Sequence, residues 1–253
     1  MTAPAAALVT GGAKRIGRAI VEALVARGYA VAIHYGQSRQ QAADVADALT
    51  ARGARVATVS ADLADPAGVD ALVPAAAAAV GPLTLLVNSA SEFVPDEMGD
   101  LDRAQFERHM RVNLEAPVFL AQAFARQLPE GCTGTVVNIL DQRVWRPTPR
   151  FLSYTLAKSA LWTATQTMAQ ALAPRIRVNA VGPGPTLANT RQGASDFARQ
   201  SAAVPLGRAA TPAEVASAVL FLAEAHSVTG QMIAVDGGQH LAWRTPDVEG
   251  IAE

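Results

Sequence analysis

The sequence predicts an α/β fold: a doubly wound sheet of about seven parallel strands with helices on both faces. Three observations carry this. Seven short runs rich in Val, Ile and Leu alternate with longer helical stretches, as repeated βα units do. The runs are continuously apolar rather than alternating, which suits strands buried on both sides. The first run passes directly into a glycine turn and a helix, the arrangement that opens a dinucleotide-binding βα unit.

In chain order, strands are expected at residues 6–10, 30–35, 55–60, 83–88, 135–140, 176–181 and 232–236. Helices are expected between them at 16–27, 39–52, 67–80, 105–127, 151–172 and 212–224. The last has an explicit start: a Thr211 hydroxyl to cap, Pro212 in the first turn, then Glu214. The least regular stretch, 182–205, is rich in Gly, Pro, Thr, Asn and Ser. A loop that long in a compact domain is usually functional, so it is the expected substrate-binding loop. No repeat, linker or composition break divides the chain, and residues 1–253 are expected to form one domain.

The 253 residues suffice for a full core. An apolar fraction of 50% with net charge −1 excludes a disordered chain and the basic excess of a nucleic-acid-binding domain. Cys132 is the only cysteine, which excludes a disulfide framework and a multi-cysteine metal site. His34, His109, His226 and His240 lack metal-ligand spacing, so no metal is expected. Met1 to Leu8 has no basic n-region, and the run Ala75 to Val80 is far too short to span a bilayer. No membrane association is expected, and the expected location is the cytoplasm.

The first strand runs into Thr10-Gly11-Gly12-Ala13-Lys14-Arg15-Ile16-Gly17. Glycines let a pyrophosphate approach the backbone, and the free N–H groups of a helix start favour its charge. A triphosphate-binding loop would need Lys and Ser/Thr after Gly17; Arg18-Ala19 stands there instead. The second strand ends at His34-Tyr35-Gly36-Gln37-Ser38-Arg39. No Asp or Glu is present to hold a ribose 2′-hydroxyl, whereas Ser38 and Arg39, with Lys14 and Arg15, suit a 2′-phosphate. NADP(H) is therefore the expected cofactor.

Of 21 basic residues only Lys14 and Lys158 are lysines. Lys158 closes a Tyr154-x-x-x-Lys158 pair on a predicted helix, where residues four apart share a face. An ammonium beside a phenol lowers the phenol's pKa and makes it a usable proton donor.

Together these residues resemble the short-chain dehydrogenase/reductase family from about Ala6 to Trp243. The matching motifs are Thr10-Gly11…Gly17, Asp62-Leu63, Asn88-Ser89-Ala90, Asn113, Tyr154…Lys158, Asn179-x-Val181-x-Pro183-Gly184 and Val235-Asp236-Gly237-Gly238. The resemblance implies a single-domain Rossmann-type fold, hydride transfer with NAD(P)(H) and a homotetramer. It also implies that Asn113 holds a helix kink and a water linked to Lys158.

Two departures from the family pattern narrow the resemblance. Arg15 stands at the middle glycine of the loop, and Asp141, 13 residues before Tyr154, stands where the family has its catalytic Ser. This combination is similar to the pteridine reductase branch, which includes bacterial dihydromonapterin reductases. Asn88-Ser89-Ala90-Ser91-Glu92-Phe93 is similar to that branch's Asn-Asn-Ala-Ser-x-Phe, although Ser89 replaces its second Asn. The resemblance implies that Phe93 and the nicotinamide sandwich a flat pterin. It implies that Arg15 donates to the pterin carbonyl and that Asp141 and Tyr154 relay a proton. Ser91 and Thr186 complete the substrate set. The cofactor set is Gly11, Lys14, Arg15, Ile16, Gly17, His34, Tyr35, Ser38, Arg39, Asp62, Leu63, Asn88, Ser89, Ala90, Tyr154, Lys158, Pro183 and Gly184.

Plainer roles stay open: Phe93 as a loop anchor, Asp141 as a turn residue, Arg15 as a phosphate contact, Arg39 as a solvated first-turn residue. Two other functions also fit parts of the pattern. A carbonyl or 3-oxoacyl thioester reductase needs only Tyr154 and Lys158. A dinucleotide sensor with a degenerate site would need neither.

Overall fold

The computed structural model describes residues 5–188, 193–244 and 249. Seven strands, β1 (Ala6–Val9), β2 (Ala30–Tyr35), β3 (Val56–Ser60), β4 (Leu83–Asn88), β5 (Gly134–Ile139), β6 (Ile176–Pro183) and β7 (Met232–Val235), form one sheet. Its order is β3-β2-β1-β4-β5-β6-β7 and every pairing is parallel. The helices are α1 (Arg15–Ala26), α2 (Arg39–Thr50), α3 (Pro66–Val80), α4 (Arg103–Met110), α5 (Ala116–Gln127), α6 (Leu152–Leu172), α7 (Ala194–Ala202) and α8 (Pro212–Glu224).

Two apolar layers follow from the period of two in the central strands. Ala6 and Leu8 of β1 face the layer of α3, α5 and α6, with Leu72, Ala76, Leu120 and Phe124. Ala7 and Val9 face the layer of α1, α2 and α8, with Ile20, Leu24, Val45, Val215 and Leu222. Because both faces are covered, both sets must be apolar. The capping box expected at Thr211 is present: its hydroxyl accepts from Glu214 N–H, and the Glu214 carboxylate accepts from Thr211 N–H.

Strand and helix positions match the sequence expectation, with end differences of one or two residues at most elements. Two larger differences bear on the site. The helix expected over 105–127 is broken into α4 and α5 by one wide π turn, Arg111–Glu115. Pro117 has no N–H to give the Asn113 carbonyl, so the ordinary four-residue ladder cannot continue there. The stretch expected as a loop, 182–205, carries the end of β6 and the short helix α7.

The strand order reverses between β2-β1 and β4. At such a switch point loops leave the carboxyl ends of neighbouring strands in opposite directions and open a crevice. The site lies there.

Candidate active site

One cleft of about 1630 Å³ runs along the carboxyl edge of the sheet. Its lining begins at Gly11, Lys14, Arg15, Ile16, Gly17 and His34 and ends at Phe93, Asp141, Tyr154, Lys158, Gly184 and Thr186.

The first half is made largely of backbone. Gly11 adopts φ +63, and a Cβ there would meet the Ala90 backbone at 2.9 Å; a Cβ on Gly17 would lie 2.2 Å from the Gly11 carbonyl oxygen. The turn therefore packs against the loop after β4 as only glycine permits. Thr10 Oγ1 accepts from the Ser89 and Ala90 N–H groups at 2.9 and 3.0 Å and holds the two loops together. Gly11 N–H donates to His34 Nδ1 at 3.1 Å, so the ring proton sits on Nε2, which faces the Ala61 carbonyl at 3.1 Å. Burial holds His34 below the ordinary histidine pKa. Lys14 offers α1 no side-chain cap, and the first turn of α1 borders the cleft. A glycine turn at a helix start is an arrangement that suits a pyrophosphate. Asp62 and Leu63 also border the cleft. Asp62 accepts from Ala64 N–H at 3.0 Å, a bond that lowers its pKa, helped by Arg108.

The second half is made of side chains from distant elements. Tyr154 on α6 donates its phenol proton to Asp141 Oδ2 at 3.0 Å, and Arg143 N–H donates to Asp141 Oδ1 at 2.8 Å. Burial raises the Asp141 pKa against the opposing pull of that N–H and the Arg143 charge. Burial, then the Asp141 carboxylate, pushes the Tyr154 phenol well above its usual value. This reverses the expectation from Tyr154 and Lys158 alone. Lys158 Nζ donates to the Ile139 carbonyl at 2.8 Å and stands 5.8 Å from the Tyr154 ring centre, while the Asp141 charge is in direct contact. Burial lowers the Lys158 pKa to about 8.

Phe93 and Phe151 stack in parallel, 4.3 Å apart, and Phe93 meets the Tyr154 ring edge-on at 4.7 Å. The Arg143 guanidinium lies 5.0 Å over Phe151. Phe151 holds a left-handed φ of +58. The sequence reading missed Phe151 and Arg143. Their proximity to Asp141 is visible in the chain, but their convergence on Phe93 depends on the left-handed turn at Phe151.

Asn88, Asn113, Tyr35, Ser38 and Arg39 do not border the cleft, and Thr186 and Arg15 border it while bonding to the protein itself. Asn88 donates to Asn138 Oδ1 at 2.9 Å inside the sheet. Asn113 sits in the π turn as the kink expectation requires. Its side chain is engaged by Ser91 Oγ, Glu92 N–H and the Glu92 carbonyl at 2.9–3.0 Å, rather than directed at Lys158. Tyr35, Ser38 and Arg39 lie at the end of β2 and the start of α2, and Arg39 lowers the Tyr35 phenol pKa. Thr186 borders the cleft and donates to the Gly184 carbonyl at 3.0 Å. Arg15 has φ +53 where the family has glycine, and its guanidinium donates to the Leu187 and Ala188 carbonyls at 3.0 and 2.9 Å. It thereby links the glycine turn to the loop after β6.

A glycine cradle on a seven-stranded parallel sheet, with Tyr154 and Lys158 at its far end, defines a class. The chain belongs to the short-chain dehydrogenase/reductase family: the family profile described as enoyl-(acyl carrier protein) reductase matches residues 11–240. Within it, the chain is similar to a crystal structure of FolM alternative dihydrofolate reductase 1 from Brucella canis complexed with NADP. The two are 52% identical over 98% of each chain, with a TM-score of 0.95. It is 35% identical to pteridine reductase 1 of Leishmania tarentolae, over 95% of this chain and 97% of that protein. It is 37% identical to L-xylulose reductase of Bos taurus, over 92% of this chain and 95% of that one.

Proposed function

We propose that the protein is an NADPH-dependent reductase of a dihydropterin, of the dihydromonapterin, dihydrobiopterin or dihydrofolate type. The observation that carries this reading is the Tyr154–Asp141 hydrogen bond of 3.0 Å beside the Phe93 ring. The similarity to the Brucella and Leishmania proteins supports it. The residues that would hold the cofactor are the glycine turn, Lys14, Asp62, Ser89, Ala90, Lys158, Pro183 and Gly184, with Ser38 and Arg39 toward a 2′-phosphate. The absence of an acid at the end of β2 favours NADP(H) over NAD(H).

Bound NADPH supplies the hydride. Everything else belongs to the chain. Phe93 offers an aromatic face to a flat heterocycle. Reduction of a ring C=N bond needs a proton on nitrogen, and Tyr154 Oη gives it. The phenol donates to Asp141, so its proton becomes available to substrate when Asp141 itself is protonated. The raised Asp141 pKa makes that acid form accessible closer to neutral pH. The Asp141 proton then passes to the Tyr154 oxygen as the phenol proton leaves. The Lys158 ammonium stabilises the negative charge that develops on that oxygen as the proton leaves. A serine at 141 would hold the phenol but could not supply a proton by its own ionisation.

The test is NADPH oxidation by the purified protein with dihydromonapterin, dihydrobiopterin and dihydrofolate against an acetoacetyl thioester. Turnover of the pterins and its loss in Asp141→Ser support the reading. Turnover of the thioester alone, kept in Asp141→Ser, overturns it. A homotetramer is part of the same proposal. Exposed Phe119 on α5 and Leu156 on α6 are apolar groups for such contacts, and the mass in solution by light scattering tests it.

A further inference from the structure

We infer that His109, Ser153 and Asp96 form a positioning chain that sets the distance between Phe93 and Tyr154, the wall and the proton donor of the substrate slot. The inference rests on the reading just given for those two residues. The three groups come from three places: Asp96 from the loop after β4, His109 from α4, Ser153 from the first turn of α6. All are buried, at 6%, 0% and 0% exposure. None borders the cleft, so none is placed to touch substrate.

The bonds run in one direction only. Val94 N–H donates to His109 Nε2 at 3.2 Å. A ring nitrogen that accepts carries no proton, so in the neutral ring the proton is on Nδ1. Nδ1–H donates to Ser153 Oγ at 2.5 Å, and the Ser153 hydroxyl donates its single proton to Asp96 Oδ2. Asp96 Oδ1 accepts from Ser153 N–H at 3.2 Å, and the Asp96 carbonyl accepts from Phe151 and Leu152 N–H at 2.8 and 3.3 Å. Asp96 thus caps α6, whose own N-cap residue, Phe151, has no polar side chain. Every donor has one acceptor, and reversing any link leaves Val94 N–H facing another N–H.

The chain ties one polypeptide segment to another at the residues beside the site. Val94 follows Phe93, and Ser153 stands between Phe151 and Tyr154. The Phe93–Phe151 stack and the Phe93–Tyr154 edge contact lie where the two segments meet. The charged groups facing His109 are Asp96 and Glu92, and Glu92 is paired with Arg108 at 2.9 Å.

Two variants of the full-length protein test this, Ser153→Ala and Asp96→Asn. Asp96→Asn keeps an oxygen for Ser153 N–H but presents an amide donor to Ser153 Oγ. The hydroxyl must then turn to His109, and the ring proton must move to Nε2, against Val94 N–H. The expected result is a dihydropterin KM raised by about tenfold in each variant, with NADPH Kd changed less than about twofold. The double variant should be no worse than the poorer single one, because both cut the same chain. Nitrogen NMR of the histidines should show His109 as the Nδ1–H tautomer in the parent protein and as Nε2–H in Asp96→Asn. An unchanged dihydropterin KM, or KM and NADPH Kd rising in parallel, overturns the inference. If the parent protein turns over no dihydropterin, the proposed function fails. The tautomer spectra then still judge the chain: an unaltered His109 in Asp96→Asn overturns it, and a switch to Nε2–H upholds it.

Discussion

The two halves of the cleft are built by different means. The dinucleotide half is shaped by backbone: Gly11, Gly17 and the start of α1 lie within a few residues of one another, and their work is done by N–H groups and missing Cβ atoms. The substrate half is shaped by side chains that converge from the loop after β4, from the segment after β5 and from α6. The first kind of site is written as a local motif. The second is written across the topology. The two halves should therefore fail differently when single residues are changed.

The largest effect is expected in the substrate half. Tyr154→Phe removes the phenol proton but keeps the ring that meets Phe93 edge-on. General acid catalysis contributes about 10²–10⁴-fold, and kcat should fall by that much. NADPH affinity should stay within a few-fold, as measured by fluorescence titration. A kcat loss below about tenfold would show that another group delivers the proton.

The dinucleotide half should answer the opposite way. In Gly17→Ala the new Cβ falls 2.2 Å from a backbone oxygen that cannot swing aside. NADPH Kd should rise by roughly two orders of magnitude, and Tm should drop by several degrees, consistent with a cost of a few kcal/mol. Normal NADPH binding in this variant would mean that the turn relaxes without loss and that its close packing is not what shapes the cradle.

The halves share one device, a buried neutral histidine that accepts a backbone N–H. His34 accepts from Gly11 through Nδ1, and His109 accepts from Val94 through Nε2. Burial lowers both pKa values below 6.5. A group whose folded pKa is depressed in this way stays uncharged in the fold while the unfolded chain already takes up its proton. Stability is therefore complete above about pH 6.5 and declines as pH falls below it. NADP affinity and dihydropterin KM should both worsen over the same acid range. Calorimetric NADP titrations and initial rates from about pH 8 down to pH 5 check this. Worsening of one constant alone would show that the two histidines are not equivalent.

How far each half was legible follows from the same contrast. The strands were legible because burial on both faces demands continuous apolar runs. The cradle was legible because its glycines and helix start are contiguous. Asp141 was legible through its register with Tyr154, which the resemblance made meaningful. The form of the π turn was not: the resemblance implies a kink at Asn113, and Pro117 stands midway through the expected helix 105–127, but neither specifies a wide turn over Arg111–Glu115. The Phe151 stack and the His109–Ser153–Asp96 chain were not legible either: their partners lie 44 to 58 residues apart. The direction of the Tyr154 shift was misread for a related reason. Spacing placed Lys158 near the phenol, but only the folded chain shows Nζ committed to the Ile139 carbonyl and a carboxylate in contact with the phenol.

Arg15 belongs to both halves and sharpens the contrast most finely. Its backbone occupies the glycine turn at φ +53, a conformation costly for a residue with a Cβ, and its guanidinium reaches the Leu187 and Ala188 carbonyls of the loop after β6. Arg15→Gly removes strain worth about 1 kcal/mol and also removes both hydrogen bonds. In the dinucleotide half the change should be neutral or favourable, leaving NADPH Kd the same or up to about fivefold tighter. In the substrate half the loop after β6 loses its tie to the turn, and dihydropterin KM should rise by about three- to tenfold. Tm should move by no more than a few degrees in either direction, because relief and loss nearly cancel. Opposite movement of the two constants in one variant would show that a single residue serves the halves through separate atoms. Weakening of both together would show that the arginine acts mainly on the cofactor phosphates, and the division of the cleft at this point would have to be redrawn.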